Sequence, residues 1–556
     1  MAQGPSSGRA VAVLKCMDDG SFELDIEALE EVLLAEHIWN IPVAVISVAG
    51  SFRRGKSFLL NFFIQYLRNQ CRGDWLRKCN TSLDGFAWRG GSERETKGIL
   101  LWSEVFVVTT SKGEKVAVVL MDTQGTFDGT TTMKGTGTIF ALSTMLSSVQ
   151  VYNLSQIIGE DDLQHLALFC DYGQVVKKDG SNNAFQTLLF LVRDWSFPYE
   201  FRYGAHGGRA YMEKRLEVCD EQPEELRNLR RDIRSSFEEI ACFLMPHPGL
   251  KVATNPEFKG CLSDIDIDFK NHLEKLLAVV LHPVNLFPKK INNCIITCEK
   301  LLMYFKVYAE SFKNGEASDP MSIREATGVA NNTSALTDAL QYYLSEMAKA
   351  CADTPCAEHH LRKSHEEGFA AALRKFDAVL KLGGKEMEQQ YRTRLVQVIQ
   401  VTFAEFLEKM KDKNVKEEDL TEILSKAFLS VGCALLNMPL FPASAIGIGI
   451  VTAVKIVGVS LTAASSFLAR GIGRLIAKRA VCSTAARCDQ QSPQCSRSKD
   501  YWGATTTVLL MATKFIETLL KSGTNCMQAN ALGAKGGFCK QQLCPLPRKQ
   551  QRIRYP

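Results

Sequence analysis

The run Pro42-Val-Ala-Val-Ile-Ser-Val-Ala49, followed at once by Gly50-Ser-Phe-Arg-Arg-Gly-Lys-Ser57 and then by Phe58-Leu-Leu-Asn-Phe-Phe63, decides the fold. The first segment is an unbroken apolar, β-branched stretch of the kind that fills a strand buried on both faces. The second fits G-x-x-x-x-G-K-[ST], and the third has the apolar pattern of a helix. Gly50 and Gly55 allow the backbone to curl until its N–H groups face phosphate oxygens, with the N-terminus of the following helix adding its dipole. Lys56 supplies the counter-charge to the β- and γ-phosphates, the Ser57 hydroxyl is a ligand for Mg²⁺, and Phe58 completes the segment counted with the site.

Working outward, Val118-Val-Leu-Met-Asp122-Thr-Gln-Gly125 is a second apolar strand ending in a carboxylate and a glycine. Asp122 at such a strand end can hold Mg²⁺ through water, and the Gly125 amide can approach a γ-phosphate with no side chain in the way. The third strand, Leu188-Leu-Phe-Leu-Val-Arg193-Asp194, also ends in a carboxylate. Asp194 can accept from guanine N1–H and N2–H₂ together, a pair adenine does not offer. Strands alternating with helical patterns predict an α/β fold, a P-loop GTPase domain with a mostly parallel sheet, over residues 15–285.

Five segments carry a resemblance to a known family: Gly50 to Ser57; Trp88-Arg-Gly-Gly-Ser-Glu-Arg-Glu-Thr96; Asp122-Thr-Gln-Gly-Thr-Phe-Asp128; Glu160-Asp-Asp-Leu-Gln-His165; and Leu191-Val-Arg-Asp-Trp-Ser-Phe-Pro-Tyr-Glu-Phe201. Together they resemble the atlastins, dynamin-superfamily GTPases that tether and fuse tubules of the endoplasmic reticulum. The likeness is dense over residues 43–255, continues through the helical middle region and fades after Thr421. It implies that Arg53 is an arginine finger acting in cis, with Arg54 in the phosphate cradle or at a dimer face. Thr96 would be the switch I threonine that binds Mg²⁺ and positions water. Gln124 would lie near the phosphates, Arg193 and Asp194 at the base, and Val252 and Asn255 in the loop packed around guanine. The implied partners are GTP and GDP, a second copy joined through the GTPase domain in trans between membranes, and a lipid bilayer.

The rest of the chain sets the wider frame. At 556 residues it exceeds a single core, and with 46% hydrophobic and 23% charged residues it is globular rather than disordered or fibrous. Residues 286–292 read as a Pro-containing linker. Stripes at helical spacing follow, Leu336, Leu340, Leu344 and Met347, then Phe369, Leu373, Phe376 and Leu380, then Leu395, Ile399, Phe403, Phe406 and Met410. They predict a helical bundle over residues 293–422.

Residues 427–469 hold one charge, Lys455. Two legs of about 21 helical residues would each be about 32 Å long, enough to cross a bilayer, whereas a turn at Pro439 and Pro442 leaves a wedge confined to one leaflet. A buried soluble hairpin is the third alternative. From Ile423 onward there are 17 basic and 3 acidic residues, a net of +14, so within the overall +5 residues 1–422 carry −9. Residues 470–556 form a basic, cysteine-containing tail that favours anionic lipid over nucleic acid, because aromatic residues are not interleaved with its charges.

The opening residues lack an apolar signal core, placing the body in the cytosol; a hairpin or wedge flanked by basic residues would return both termini to that side, and the resemblance implies the endoplasmic reticulum membrane. The sequence thus points to a GTP-hydrolysing, dimerising membrane-fusion protein. A GTP-gated membrane-shaping scaffold and a soluble effector resembling the guanylate-binding proteins remain as alternatives.

Overall fold

The computed structural model describes residues 8–17, 21–51, 55–77, 83–88, 98–125, 133–177, 184–255, 258, 260–312, 320–352, 358–379 and 383–410. The anticipated membrane segment 427–469 and tail 470–556 lie outside these residues. Among the described residues, no helix is long and apolar enough to cross a membrane.

The strands of the central sheet are β1 (Ala10–Cys16), β2 (Phe22–Leu24), β3 (Val43–Gly50), β4 (Ile99–Trp102), β5 (Phe106–Thr109), β6 (Lys115–Thr123), β7 (Val149–Ser155), β8 (Phe185–Arg193) and β9 (Phe237–Leu244). Their order is β2-β1-β4-β6-β3-β7-β8-β9, with β5 also paired to β6. The five strands from β6 to β9 run parallel, while β1, β2, β4 and β5 pair antiparallel at one edge. Every residue of β3 is buried, as its unbroken apolar run requires of a strand covered on both faces. The chain leaves β3 for β6 on one side and for β7 on the other. That reversal opens a crevice at the carboxyl end of β3, where α/β sheets bind ligands.

Two cores fill the faces of this sheet. On one lie α2 (Lys56–Arg68) and α8 (Ile267–Leu281), which bury Phe62, Phe63, Phe269 and Leu273. The other face is covered by α1 (Ile26–Leu33), α3 (Met133–Leu146), α4 (Glu160–Lys177), α5 (Ala205–Arg215), α6 (Glu224–Ser236) and α9 (Cys298–Ser311). The short α7 (Leu250–Ala253) follows β9.

A small hairpin, β10 (Lys290–Ile291) with β11 (Cys294–Ile295), joins this body to α9. It is stitched to the start of β3: Val43 N–H donates to Ile296 O at 2.9 Å, Lys289 N–H donates to Val43 O at 2.6 Å, and Pro42 bridges Thr297. Thr297 caps α9 by accepting from Lys300 N–H.

The apolar side of α9, with Leu301, Leu302, Tyr304, Phe305 and Tyr308, belongs to the core of the sheet. The boundary anticipated near residue 293 therefore does not coincide with a break in packing. A separate core begins farther on, in α10 (Pro320–Ala352), α11 (Glu358–Asp377) and α12 (Gly384–Met410). There Leu336, Leu340, Leu344 and Met347 meet Phe376, Leu395, Ile399 and Phe406, with Phe369, Leu373 and Phe403 partly buried beside them. The three stripes read from the sequence thus pack on one another. Leu380 lies outside the described residues, as does the side chain of Met410.

Candidate active site

The crevice is built from the ends of β3, β6 and β8. Gly50 closes β3 with φ +140°, and a Cβ there would collide with the carbonyl oxygen of Asn153 in β7. Gly55 caps α2 in the left-handed region, φ 71° and ψ 34°, with no side chain occupying the helix N-terminus. The first N–H groups of α2 are thereby left for an anion.

Lys56 is only 7% exposed, and its ammonium donates to the carbonyl oxygens of Gly50 at 3.3 Å and Ser51 at 3.1 Å. Burial pushes the group down to about 8, against the opposing pull of the Asp122 carboxylate. A triphosphate would reverse that depression, because added negative charge favours the ammonium form.

The parallel register of β3 and β6 sets Val48 beside Asp122. Asp122 is fully buried and accepts from the Ser57 hydroxyl at 2.6 Å. The chain therefore places two hard oxygen donors together from residues 65 apart in sequence. Among the described residues no group of three or more His, Cys, Asp or Glu side chains could hold a metal by itself. A hydroxyl and one carboxylate instead suit a cation that takes most of its shell from water and phosphate, as Mg²⁺ does.

Gln124, anticipated near the phosphates, is buried at the end of β6 and bonded to Gly98. Its Oε1 accepts from Gly98 N–H at 2.9 Å, and its own N–H donates to Gly98 O at 2.8 Å. The residue laces the end of β6 to the start of β4, immediately after the Thr96 segment. Gly125 is buried at the mouth of the crevice.

At the end of β8, Arg193 is buried, with its guanidinium 5.6 Å from the Phe269 ring. A Cβ added to Gly55 would lie 3.3 Å from Arg193 Nη1, so this arginine supports the P-loop turn from beneath. Asp194 follows in a left-handed conformation, φ 57°. That turn is fixed by the Trp195 N–H bond to Met245 O at 3.0 Å and by Trp195 Nε1 donating to Phe201 O at 2.9 Å. Val252 packs partly buried against the core from α7, and Asn255 is exposed just beyond it. Arg53, Arg54 and Thr96 lie outside the described residues.

Three neighbours of the site had no role assigned from sequence. Asn61, fully buried in α2, donates from Nδ2 to Phe86 O at 3.0 Å and holds the segment that leads to Trp88. Its signal is a lone amide inside Phe58-Leu-Leu-Asn-Phe-Phe63. Trp88 and Phe258 meet the ring of Phe58, Trp88 at 4.8 Å and Phe258 at 6.1 Å between centroids. Nothing in sequence spacing links those two positions.

A P-loop, a buried strand-end aspartate on the P-loop serine, and a second strand-end aspartate together define a P-loop GTPase, and residues 19–289 match the family described as guanylate-binding protein, N-terminal domain. Human atlastin-2 is 49% identical over 405 residues, covering 72% of this chain and 70% of that protein. Rat atlastin-1 is 48% identical over 407 residues, 73% of each, and atlastin-2 of Xenopus laevis is 49% identical over 405. The chain belongs to the atlastin family, and is a dynamin-like GTPase that mediates fusion of endoplasmic reticulum membranes.

Proposed function

We propose that this chain hydrolyses GTP with Mg²⁺, and that hydrolysis is coupled to pairing of GTPase domains from two copies anchored in opposing endoplasmic reticulum membranes. The observation that carries the reading is the Ser57–Asp122 pair at 2.6 Å beside the buried Lys56 ammonium. Those groups supply a hydroxyl, a carboxylate and a positive charge within one phosphate cradle.

In this reading the P-loop N–H groups and Lys56 orient the β- and γ-phosphates, and Ser57, Asp122 and Thr96 hold Mg²⁺. The metal neutralises charge on the phosphates. Arg53 acts in cis on charge developing toward the leaving oxygen, and Arg54 lies in the cradle or at the dimer face. Asp194 accepts from the guanine edge, supported by the buried Arg193, while Val252 and Asn255 close the loop over the base. Residues 427–469 insert into the membrane as a hairpin or wedge, leaving both termini cytosolic, and the basic tail 470–556 meets anionic lipid.

The test is lipid mixing between two populations of liposomes carrying the full chain. Mixing should require GTP and Mg²⁺ and be absent with Lys56→Ala. Mixing that proceeds equally without nucleotide would overturn the coupling.

A further inference from the structure

The Asp122 carboxylate reaches the Ser57 hydroxyl because the head of β6 is held in line with the head of β3. The ladder between these strands ends at the pair Val48 and Asp122, while β3 runs on to Gly50, which pairs with Asn153 of β7. On its other side the head of β6 is bonded to β4 and the residue before it. Ile99 pairs with Thr123, and Gln124 meets Gly98 twice, through its N–H at 2.8 Å and its Oε1 at 2.9 Å. Toward β3 a side chain adds its own bond: Thr123, fully buried, donates from Oγ1 to Val48 O at 3.0 Å.

Successive side chains of β6 alternate, Leu120 entering the core that holds α2 and Met121 the opposite core, so Asp122 and Thr123 leave the sheet on opposite faces. The threonine therefore serves Asp122 through the backbone they share. Val48 lies two residues before Gly50, so this bond joins the strand that carries the carboxylate to the strand that leads into the P-loop.

We propose that Thr123 is a positioning residue, whose hydroxyl fixes the head of β6 against β3 and so presents the Asp122 carboxylate to Ser57 and to Mg²⁺. The proposal rests on the reading of Ser57 and Asp122 as Mg²⁺ ligands and adds to it the group that sets their alignment. Valine is the informative replacement, because it keeps the branched shape that suits a buried strand and removes only the donor.

The test measures equilibrium affinity of the full chain for a non-hydrolysable GTP analogue, once in Mg²⁺ and once in EDTA, with melting temperature and the Mg²⁺ dependence of turnover alongside. Thr123→Val should lower the affinity in Mg²⁺ about fivefold, the order of one hydrogen bond, and leave the affinity in EDTA unchanged. The Mg²⁺ concentration for half-maximal turnover should rise by the same order. Thr123→Ser keeps the donor and should restore the wild-type values.

An unchanged ratio of the two affinities in Thr123→Val overturns the proposal, as does a Thr123→Ser variant that recovers nothing. Equal losses in Mg²⁺ and in EDTA that track the melting temperature also overturn it, for they mark a purely structural threonine. Should Thr123→Val not fold, Thr123→Ala decides by the same criteria. Asp122→Asn reports on the Mg²⁺ reading itself. A Mg²⁺ enhancement lost in Asp122→Asn but intact in Thr123→Val sinks the proposal alone, whereas a wild type indifferent to Mg²⁺ removes the reading and the proposal together.

Discussion

At the residue scale, the most informative position is Asp194, held in a left-handed turn that few side chains other than Gly, Asn and Asp adopt. Asp194→Asn keeps the turn but exchanges an acceptor for a donor. The variant should lose affinity for GTP and gain it for xanthosine triphosphate, whose C2 carbonyl accepts a hydrogen bond. Competition binding with both nucleotides checks this, and unchanged GTP affinity would remove Asp194 from the base.

Lys56 and Arg53 should separate binding from chemistry. Lys56→Ala should abolish nucleotide binding, whereas Arg53→Ala should bind nearly as wild type and hydrolyse slowly, an arginine finger being worth roughly 10³ to 10⁵ in rate. Full turnover in Arg53→Ala would end the cis assignment. The meeting of Gly50, Lys56, Ser57 and Asp122 was legible because a strand leading into a P-loop and a second apolar strand ending in Asp bring those residues to neighbouring strand ends. The bond between the Gln124 side chain and Gly98 was not legible, because position next to a ligand does not fix side-chain direction. Trp88 and Phe258 carried no local pattern, since their meeting depends on how two distant segments converge on α2.

At the scale of elements, the buried strands announced themselves by unbroken apolar runs, and the three helical stripes by their spacing. The placement of α9 was not legible. Its amphipathic pattern says that it buries one side, but not whether that side meets the sheet or the bundle.

The linker before α9 contains a buried cation, Lys289, 1% exposed, whose ammonium donates to Ser147 O at 2.9 Å just past the end of α3. Burial pushes Lys289 down to about 7 from 10.5, with Glu238 opposing. Between those values the unfolded chain binds the proton that the folded chain has lost, so this group makes stability rise with pH from about 7 toward 10.5. Lys289→Met should remove that contribution. The melting temperature of the wild type relative to the variant should increase between about pH 7 and pH 9, and a flat difference would show that Lys289 does not titrate in this window.

At the scale of the whole molecule, the three cores found among the described residues lie within residues 11–406, and the apolar and basic segments come after them in sequence. Residues 1–422 should therefore be expressed as a water-soluble GTPase that dimerises with nucleotide, as light scattering would record. The full chain should resist carbonate extraction and keep its residue 501–556 tail open to protease added outside sealed vesicles. Protection of that tail would refute the hairpin or wedge topology, and complete release by carbonate would remove the membrane anchor.

The stitching of the β10–β11 hairpin to Val43 has a mechanical meaning. The chain enters α9 at the foot of β3, and the phosphate cradle sits at the head of the same strand, about 23 Å away for the seven steps from Val43 to Gly50 at about 3.3 Å each. A pull on the chain at Thr297 would reach Val43 and Pro42 through these contacts and continue along the backbone of β3 to Gly50. The strand would then act as a tie rod between the hairpin and the phosphate cradle.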